Sequence, residues 1–334
     1  VELLMPTRLA ACRRSIALVS VVAAAIVTLS LSKGAPPAVA APASEPLLVS
    51  TPQVLVYADG DARKVAGAGA LASGFKILST MADGSVLVAY RDAGAATVEA
   101  IGRDLSPRAV KRFGVIPIGL IAPANDGFLT YDGSLLRRYD ARGSLTGPPM
   151  APQGVRDALG FADANVVIGA GRLAIYDRNG RLQHQMVVEA DRLVALPDNR
   201  FAVTDTRFSE VRVYTTTLEL KSTLRFPNRT LLAVAAGADG TLAIANGRAA
   251  CSNPDVEVDV FQDINAQPTT RLRTDVGTPV ALAVSAQTIY VANSPCRFGE
   301  DGYLASFGRD GTPHGAIANV GSPTGVLPFG AAPK

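Results

Sequence analysis

Tryptophan is absent from this sequence, histidine occurs twice and cysteine three times. Charge is scarce and nearly balanced, with 18% charged residues and a formal net charge of +3. The small basic excess is spread along the chain without a basic run, which excludes a nucleic-acid footprint. Long apolar runs are missing except for one near the start, Ile16 to Ser32. What is abundant instead is hydrophobic residues (48%), glycine (31) and proline (22), a composition that suits many short strands joined by tight turns. The length of 334 residues fits one large domain or two ordinary ones.

Arg8, Arg13 and Arg14 precede the apolar run, and a small-residue Ala-x-Ala site follows it at Ala38 to Ala40. This order describes a secretory signal over residues 1–40, with a mature start near Ala41 and a short linker, 41–45. The alternative is an uncleaved membrane anchor. Either way the folded part is expected outside the cytoplasm, periplasmic or secreted, or held on the outer side of the cytoplasmic membrane. No other membrane contact is expected. Losing the leader removes Cys12 and leaves Cys251 and Cys296, which in an oxidising setting are expected to pair as a disulfide.

The rest of the chain repeats itself. "LLRRYDARG" at 135–143 and "RLAIYDRNG" at 172–180 are two of seven versions of one apolar strand that ends on Tyr57, Ile101, Tyr139, Tyr176, Tyr214, Phe261 or Phe307 and runs into a polar turn. These anchors lie 37 to 47 residues apart, a period that marks a repeat architecture. Inside each unit, turns such as "ADG" (82–84, 238–240), "NDG" (125–127) and "PDNR" (197–200) separate two apolar strands, the signal of a hairpin. The Asp-x-x-Gly stretch then turns a third strand into a fourth. Four short antiparallel strands per forty residues describe a β-propeller blade, so residues 46–330 are expected to form an all-β propeller, with 331–334 a tail. Six units look complete between Gly74 and Val320. "TGVLPFG" at the C-terminus and "PLLVST", "QVLVYADGD" and "KVAGAG" at the N-terminus are expected to close a seventh, which protects the sheet edge. Six blades is the alternative.

Two stretches carry a resemblance. "TIYVANS" (288–294) resembles the naming strand of YVTN-type propellers, and "FAVTDTRFSEVRVY" (201–214) resembles the core of NHL-type repeats, bacterial propeller families that include binders, scaffolds and a few enzymes. The resemblance implies the fold and carries no activity.

Function is expected at the face where the loops from second to third strands, and from one unit to the next, surround the mouth of the central channel. Three consecutive second strands end in Asp205, Asn246 and Asn293; they either ring the channel, where oxygens hold a cation such as calcium, or cap their own strand ends. Arg91, Arg207, Arg248 and Arg297 in the same loops suggest a small anionic ligand, with Asp92, Glu300 and Asp301 as nearby neutralising groups. The longest of these loops carry Cys251 and Cys296 and mark a surface for a protein partner. The expected function is therefore a monomeric binding or interaction module for a protein or a small anion, without an obligate cofactor. The alternative is a metal-dependent hydrolase of the lactonase type, because faintly similar gluconolactonase-like propellers place metal ligands where first strands begin, and Asp157 and Asp191 occupy those places here. His184 and His314 fall in fourth strands, away from the channel. Quinone-dependent propellers typically bear tryptophan motifs, which this chain lacks.

Overall fold

A computed structural model describes residues 47–51, 55–59, 61–64, 73–81, 83–92, 95–104, 106–114, 118–248, 255–265, 267–273, 277–294 and 301–328. The expected leader, the linker, the tail, Cys251, Cys296, Arg297 and Glu300 lie outside them. The described residues form strands and turns, with no helix among them.

The strands group in sets, each running outward from a first, innermost strand. One set contains β1 (Leu47–Ser50), β2 (Leu55–Asp59) and β3 (Asp61–Lys64). The next is β4 (Ser73–Thr80), β5 (Val86–Asp92), β6 (Ala95–Ile101) and β7 (Pro107–Arg112). A three-stranded set, β8 (Leu120–Ala124), β9 (Gly127–Tyr131) and β10 (Leu136–Asp140), precedes β11 (Val155–Gly160), β12 (Ala164–Gly169), β13 (Arg172–Asp177) and β14 (Leu182–Val187). Then come β15 (Arg192–Leu196), β16 (Arg200–Asp205), β17 (Glu210–Thr215) and β18 (Leu220–Arg225), followed by β19 (Thr230–Ala236), β20 (Leu242–Arg248), β21 (Asp255–Phe261) and β22 (Thr270–Arg273). The last full set is β23 (Thr278–Val284), β24 (Thr288–Ser294), β25 (Tyr303–Gly308) and β26 (Pro313–Ile317). The final strand, β27 (Gly325–Pro328), returns to the first set and pairs antiparallel with β1, Leu47 opposite Pro328 and Ser50 opposite Gly325. Joining the two ends this way gives β1 a partner on both sides.

Of the strand expected at "KVAGAG" only Lys64, the end of β3, lies within the described residues. One expectation needs correction. The set after Phe113 has no complete fourth strand: the chain beyond β10 makes only the bridges Tyr139–Leu145 and Leu136–Met150. Its sequence, "GSLTGPPM", explains this, since Pro148 and Pro149 have no N–H for a ladder. On the inner side of this unit, a parallel bridge between Gly160 and Ala124 merges β8 and β11 into one seven-stranded sheet.

The repeated Asp-x-x-Gly stretch is a turn. In two copies the Gly143 and Gly180 amides donate to the carbonyls of Asp140 and Asp177 at 3.0 and 3.1 Å, and both glycines sit at positive φ (78° and 72°), where a side chain is strained. The Asp140 carboxylate accepts the Arg142 and Ser144 amides. The hairpin at "PDNR" turns on Asp198 and Asn199, both at positive φ, as a tight twisted hairpin requires. A recurrent register shift just before the third-strand anchor, at Ile175/Tyr176, Val213/Tyr214 and Ser306/Phe307, leaves one residue unpaired and increases the local twist.

The core lies between neighbouring sets. Val166, Ile168, Leu173 and Ile175 of one set pack on Leu193, Phe201, Val203 and Tyr214 of the next, and equivalent clusters recur from set to set. The anchors belong to these seams: Tyr139 stacks on Phe128 with centroids 5.1 Å apart, and Tyr214 on Phe201 at 6.0 Å. Arginines of the third-strand turns reach back across the seams. Arg178 pairs with Asp126 at 3.0 Å and Arg309 with Asp239 at 3.3 Å, and Arg309 also donates to the Ser285 carbonyl. In these two copies the turn thus joins its unit to the neighbouring one as well as reversing the chain.

Candidate functional site

First strands begin and second strands end at one face, so the loops at that face surround the mouth of the space enclosed by the first strands. Arg207 stands exposed there between β16 and β17 and donates from Nη1 to both Glu189 oxygens, at 3.1 and 2.8 Å, tying its loop to the link between β14 and β15. Its guanidinium lies 5.3 Å from the centroid of the Phe208 ring, which is 57% exposed, and Val187, the last residue of β14, is 81% exposed. Arg91 donates to the Ile118 carbonyl at 2.6 Å. Arg248 is exposed at the end of β20, in register with Asp255. The anion facing Arg207 is thus Glu189, a residue that sequence reasoning did not single out.

Asp205, Asn246 and Asn293 occupy matching strand ends and are all buried, with 2%, 0% and 0% exposure. Asp205 accepts the Phe208 amide at 3.1 Å and pairs with Arg212. Asn246 accepts from Arg229 at 3.0 Å and donates to Asp259 at 2.8 Å. Asn293 donates to the Val291 carbonyl at 3.1 Å, and its side-chain oxygen has no hydrogen-bond partner among the described residues. Strand-end capping and seam bonds account for most of their polar atoms, which do not present an open ring of oxygens to solvent.

Asp157 and Asp191 do lie close to the channel, but both oxygens of Asp157 and Oδ2 of Asp191 are engaged. Asp157 accepts the Ala158 amide at 3.0 Å and, across the seam, the Leu193 amide at 2.8 Å. Asp191 accepts the Thr206 amide at 2.7 Å and the Thr206 hydroxyl at 2.6 Å. Among the described residues no three His, Cys, Asp or Glu side chains gather as metal ligands would.

Three cations around these carboxylates were not singled out in the sequence: Lys76 on β4, Arg156 on β11 and Arg192 on β15. Lys76 donates to the Ile121 carbonyl of β8 at 3.1 Å and interacts electrostatically with both Asp157 and Arg192. It is exposed to water yet walled by protein, and this desolvation lowers its pKa below the usual lysine value, partly offset by Asp157 and reinforced by Arg192. Burial likewise raises the Asp157 pKa, against the pull of Lys76 and the Leu193 amide. For Asp191 burial also pushes upward, but the Thr206 hydrogen bonds, Arg156 and Arg192 outweigh it and hold the carboxyl below its ordinary value. The signal available in the sequence was position alone: all three cations belong to first strands, in "GFKILST", "VRDALG" and "DRLVAL".

A cavity of about 620 Å³ opens elsewhere, in the seam between β18 and the pair β21 and β22. Its charges satisfy one another: Arg229 pairs with Glu257 at 2.6 Å and Asp255 at 3.1 Å, and Arg271 with Asp259 at 2.7 Å. On the face opposite the mouth, Leu145, Leu182 and Leu220 start equivalent outer segments of three successive sets and are 58%, 46% and 52% exposed.

No protein-family model matches the chain, and no curated sequence matches it. Among solved structures it is similar to apo AztD from Citrobacter koseri, with 10% identity, coverage of 84% of this chain and 96% of that one, and a TM-score of 0.61. Hsv2p from Kluyveromyces lactis matches at 12% identity over 79% of this chain and 89% of its own, with a TM-score of 0.55. BBS1N, solved in complex with ARL6DN, matches at 18% identity over 85% and 93%, with a TM-score of 0.51. At these identities the likeness is one of fold, and with the sheet order above it makes the chain an all-β propeller of four-stranded antiparallel sheets.

Proposed function

We propose that this chain is an exported, monomeric propeller with seven blades, of the NHL/YVTN type, that acts as a binding module and docks a protein partner on its channel-mouth face. The observation that carries the reading is the Arg207–Phe208 pair: an exposed aromatic under a guanidinium, on a loop braced by Glu189. Arginine and aromatic residues of this kind are the commonest anchors of protein interfaces. Support also comes from BBS1N, a similar fold solved in complex with another protein. Export is supported by the basic, apolar and small-residue order of residues 1–40. Export in turn supports a Cys251–Cys296 disulfide, which would staple two mouth loops and close a long chain segment, a constraint worth about 3–4 kcal/mol if unstrained.

The test is site-specific photo-crosslinking in the exporting cell, with the crosslinker at Phe208 or, as a control on the opposite face, at Leu182. A single adduct from position 208, with affinity for the isolated partner falling by about 2 kcal/mol or more in Phe208→Ala, is the expected result. Equal adducts from both positions, or an unchanged affinity in Phe208→Ala, refute the reading.

A further inference from the structure

Lys76, Arg156 and Arg192 come from the innermost strands β4, β11 and β15, of three different sets. β4 lies next to β8, so the only way for Lys76 to interact with Asp157 on β11 and with Arg192 on β15 is across the space that the first strands enclose. Arg156 is aimed by an irregularity: the pairing of β11 with β12 shifts between Val155 and Asp157, leaving Arg156 as the extra residue of a bulge, a device that redirects a side chain. Neither Arg156 nor Arg192 makes a hydrogen bond or an ion pair among the described residues, although both are close enough to Asp191 to lower its pKa.

The charges in this sector do not cancel. Three cations face two carboxylates, and both carboxylates are already bonded to backbone amides or to Thr206. The surplus is one positive charge with ten guanidinium N–H donors unengaged among the described residues, shared by two arginines that, like Lys76, are open to solvent. Around it the first strands carry partly exposed apolar side chains, including Ile121, Val194, Leu232, Val280 and Leu327. We infer that the channel just inside the mouth is a binding site for a small monocarboxylate with an apolar body, its carboxylate held by Arg156, Arg192 and Lys76 and its body against the aliphatic wall. Planar guanidinium forks match a carboxylate in two-point contact, and the single surplus charge favours one carboxylate over a multiply charged group. Asp157 attracts the Lys76 ammonium and turns away a second anion. The site is distinct from the Phe208 rim, so either can fail without the other.

The experiment is calorimetric titration of the full mature chain with benzoate, and with benzyl alcohol, benzylamine and inorganic phosphate for comparison. One benzoate site is expected, with no measurable heat from the alcohol or the amine and weaker binding of phosphate. Lys76→Met, Arg156→Gln and Arg192→Gln should each weaken benzoate by about ten- to hundredfold, the loss of one charge-assisted contact, while Arg207→Gln leaves it unchanged. A measurement on the unaltered protein removes dependence on variant folding: benzoate should protect Lys76 from acetylation by acetic anhydride, read by peptide mass spectrometry, and leave exposed Lys221 as reactive as before. Absence of benzoate binding, phosphate binding tighter than benzoate, or no protection of Lys76 each overturns the inference.

Discussion

Arg138 is 3% exposed, yet its guanidinium carries a full charge into the seam between two propeller units. It donates from Nη2 to Asp126 at 2.5 Å and from Nη1 to Asn165 at 2.9 Å, and its Nε has no partner among the described residues. Asp126 is shared: its other oxygen accepts Arg178 at 3.0 Å from the neighbouring unit. Replacing Asp126 with Asn keeps the shape and removes the charge that offsets Arg138. Breaking a fully buried pair this way costs about 3–5 kcal/mol, because the surviving charge is left uncompensated. Asp126 is 40% exposed, however, so water reaches its side of the pair and screens it, and the expected cost of Asp126→Asn falls to about 2 kcal/mol. Arg178→Ala removes the exposed partner, 44% accessible, and should cost no more than about 1 kcal/mol. Urea unfolding followed by far-ultraviolet circular dichroism measures both, since the chain has no tryptophan to report by fluorescence. A ranking in which Arg178→Ala is the more destabilising variant refutes the reasoning, because it means that Arg138 is hydrated in the seam rather than held by Asp126.

The remaining expectations are simpler. Asp132 is held below the ordinary carboxylate value chiefly by the Arg137 hydrogen bond; in Asp126 and Asp239 burial pushes upward and is outweighed by Arg138 and Arg178, and by the Thr241 amide and Arg309. Depressed folded values contribute stability that is fully present above the unfolded pKa of about 3.9 and lost as pH falls through the folded values, so the melting temperature should be flat from about pH 5 to 7 and drop below about 4; Asp239→Asn should shallow that drop. Phe201→Ala empties a site at 0% exposure and should cost about 3–5 kcal/mol by urea unfolding. Ending the chain at Thr324 removes β27 and uncovers the inner edge of β1, and size-exclusion chromatography should then show aggregation in place of the peak of the unaltered chain.

The strands and their turns were legible because each unit states its own period: alternation of apolar residues, then Asp-Gly or Asp-x-x-Gly where positive φ is required. Closure by both chain ends was legible too, since "TGVLPFG" and "PLLVST" each read as strands without a unit of their own. The missing fourth strand after β10 was foreshadowed by Pro148 and Pro149, but regular spacing on either side hid it. Harder to see was the partnership of Asp126 with Arg138 and Arg178, or of Asp157 with Lys76, because these contacts join different units and depend on the angle between sheets. Bulges such as the one at Arg156 leave no local mark in composition, and a bulge decides where a side chain points.

Ser50 and Thr324, 274 residues apart, share a hydrogen bond at 3.2 Å where the first and last strands meet. Every other neighbouring pair of strands within a set is a short excursion along the chain, so most of the ring can assemble from local hairpins as they become available. The β1–β27 junction cannot: it must wait for a contact between distant segments, whose search entropy grows with the length of chain between them. Once made, that junction is a latch in the kinetic sense. The protein's lifetime against proteases would then be set by how rarely four paired residues part, more than by the summed strength of the sheets behind them.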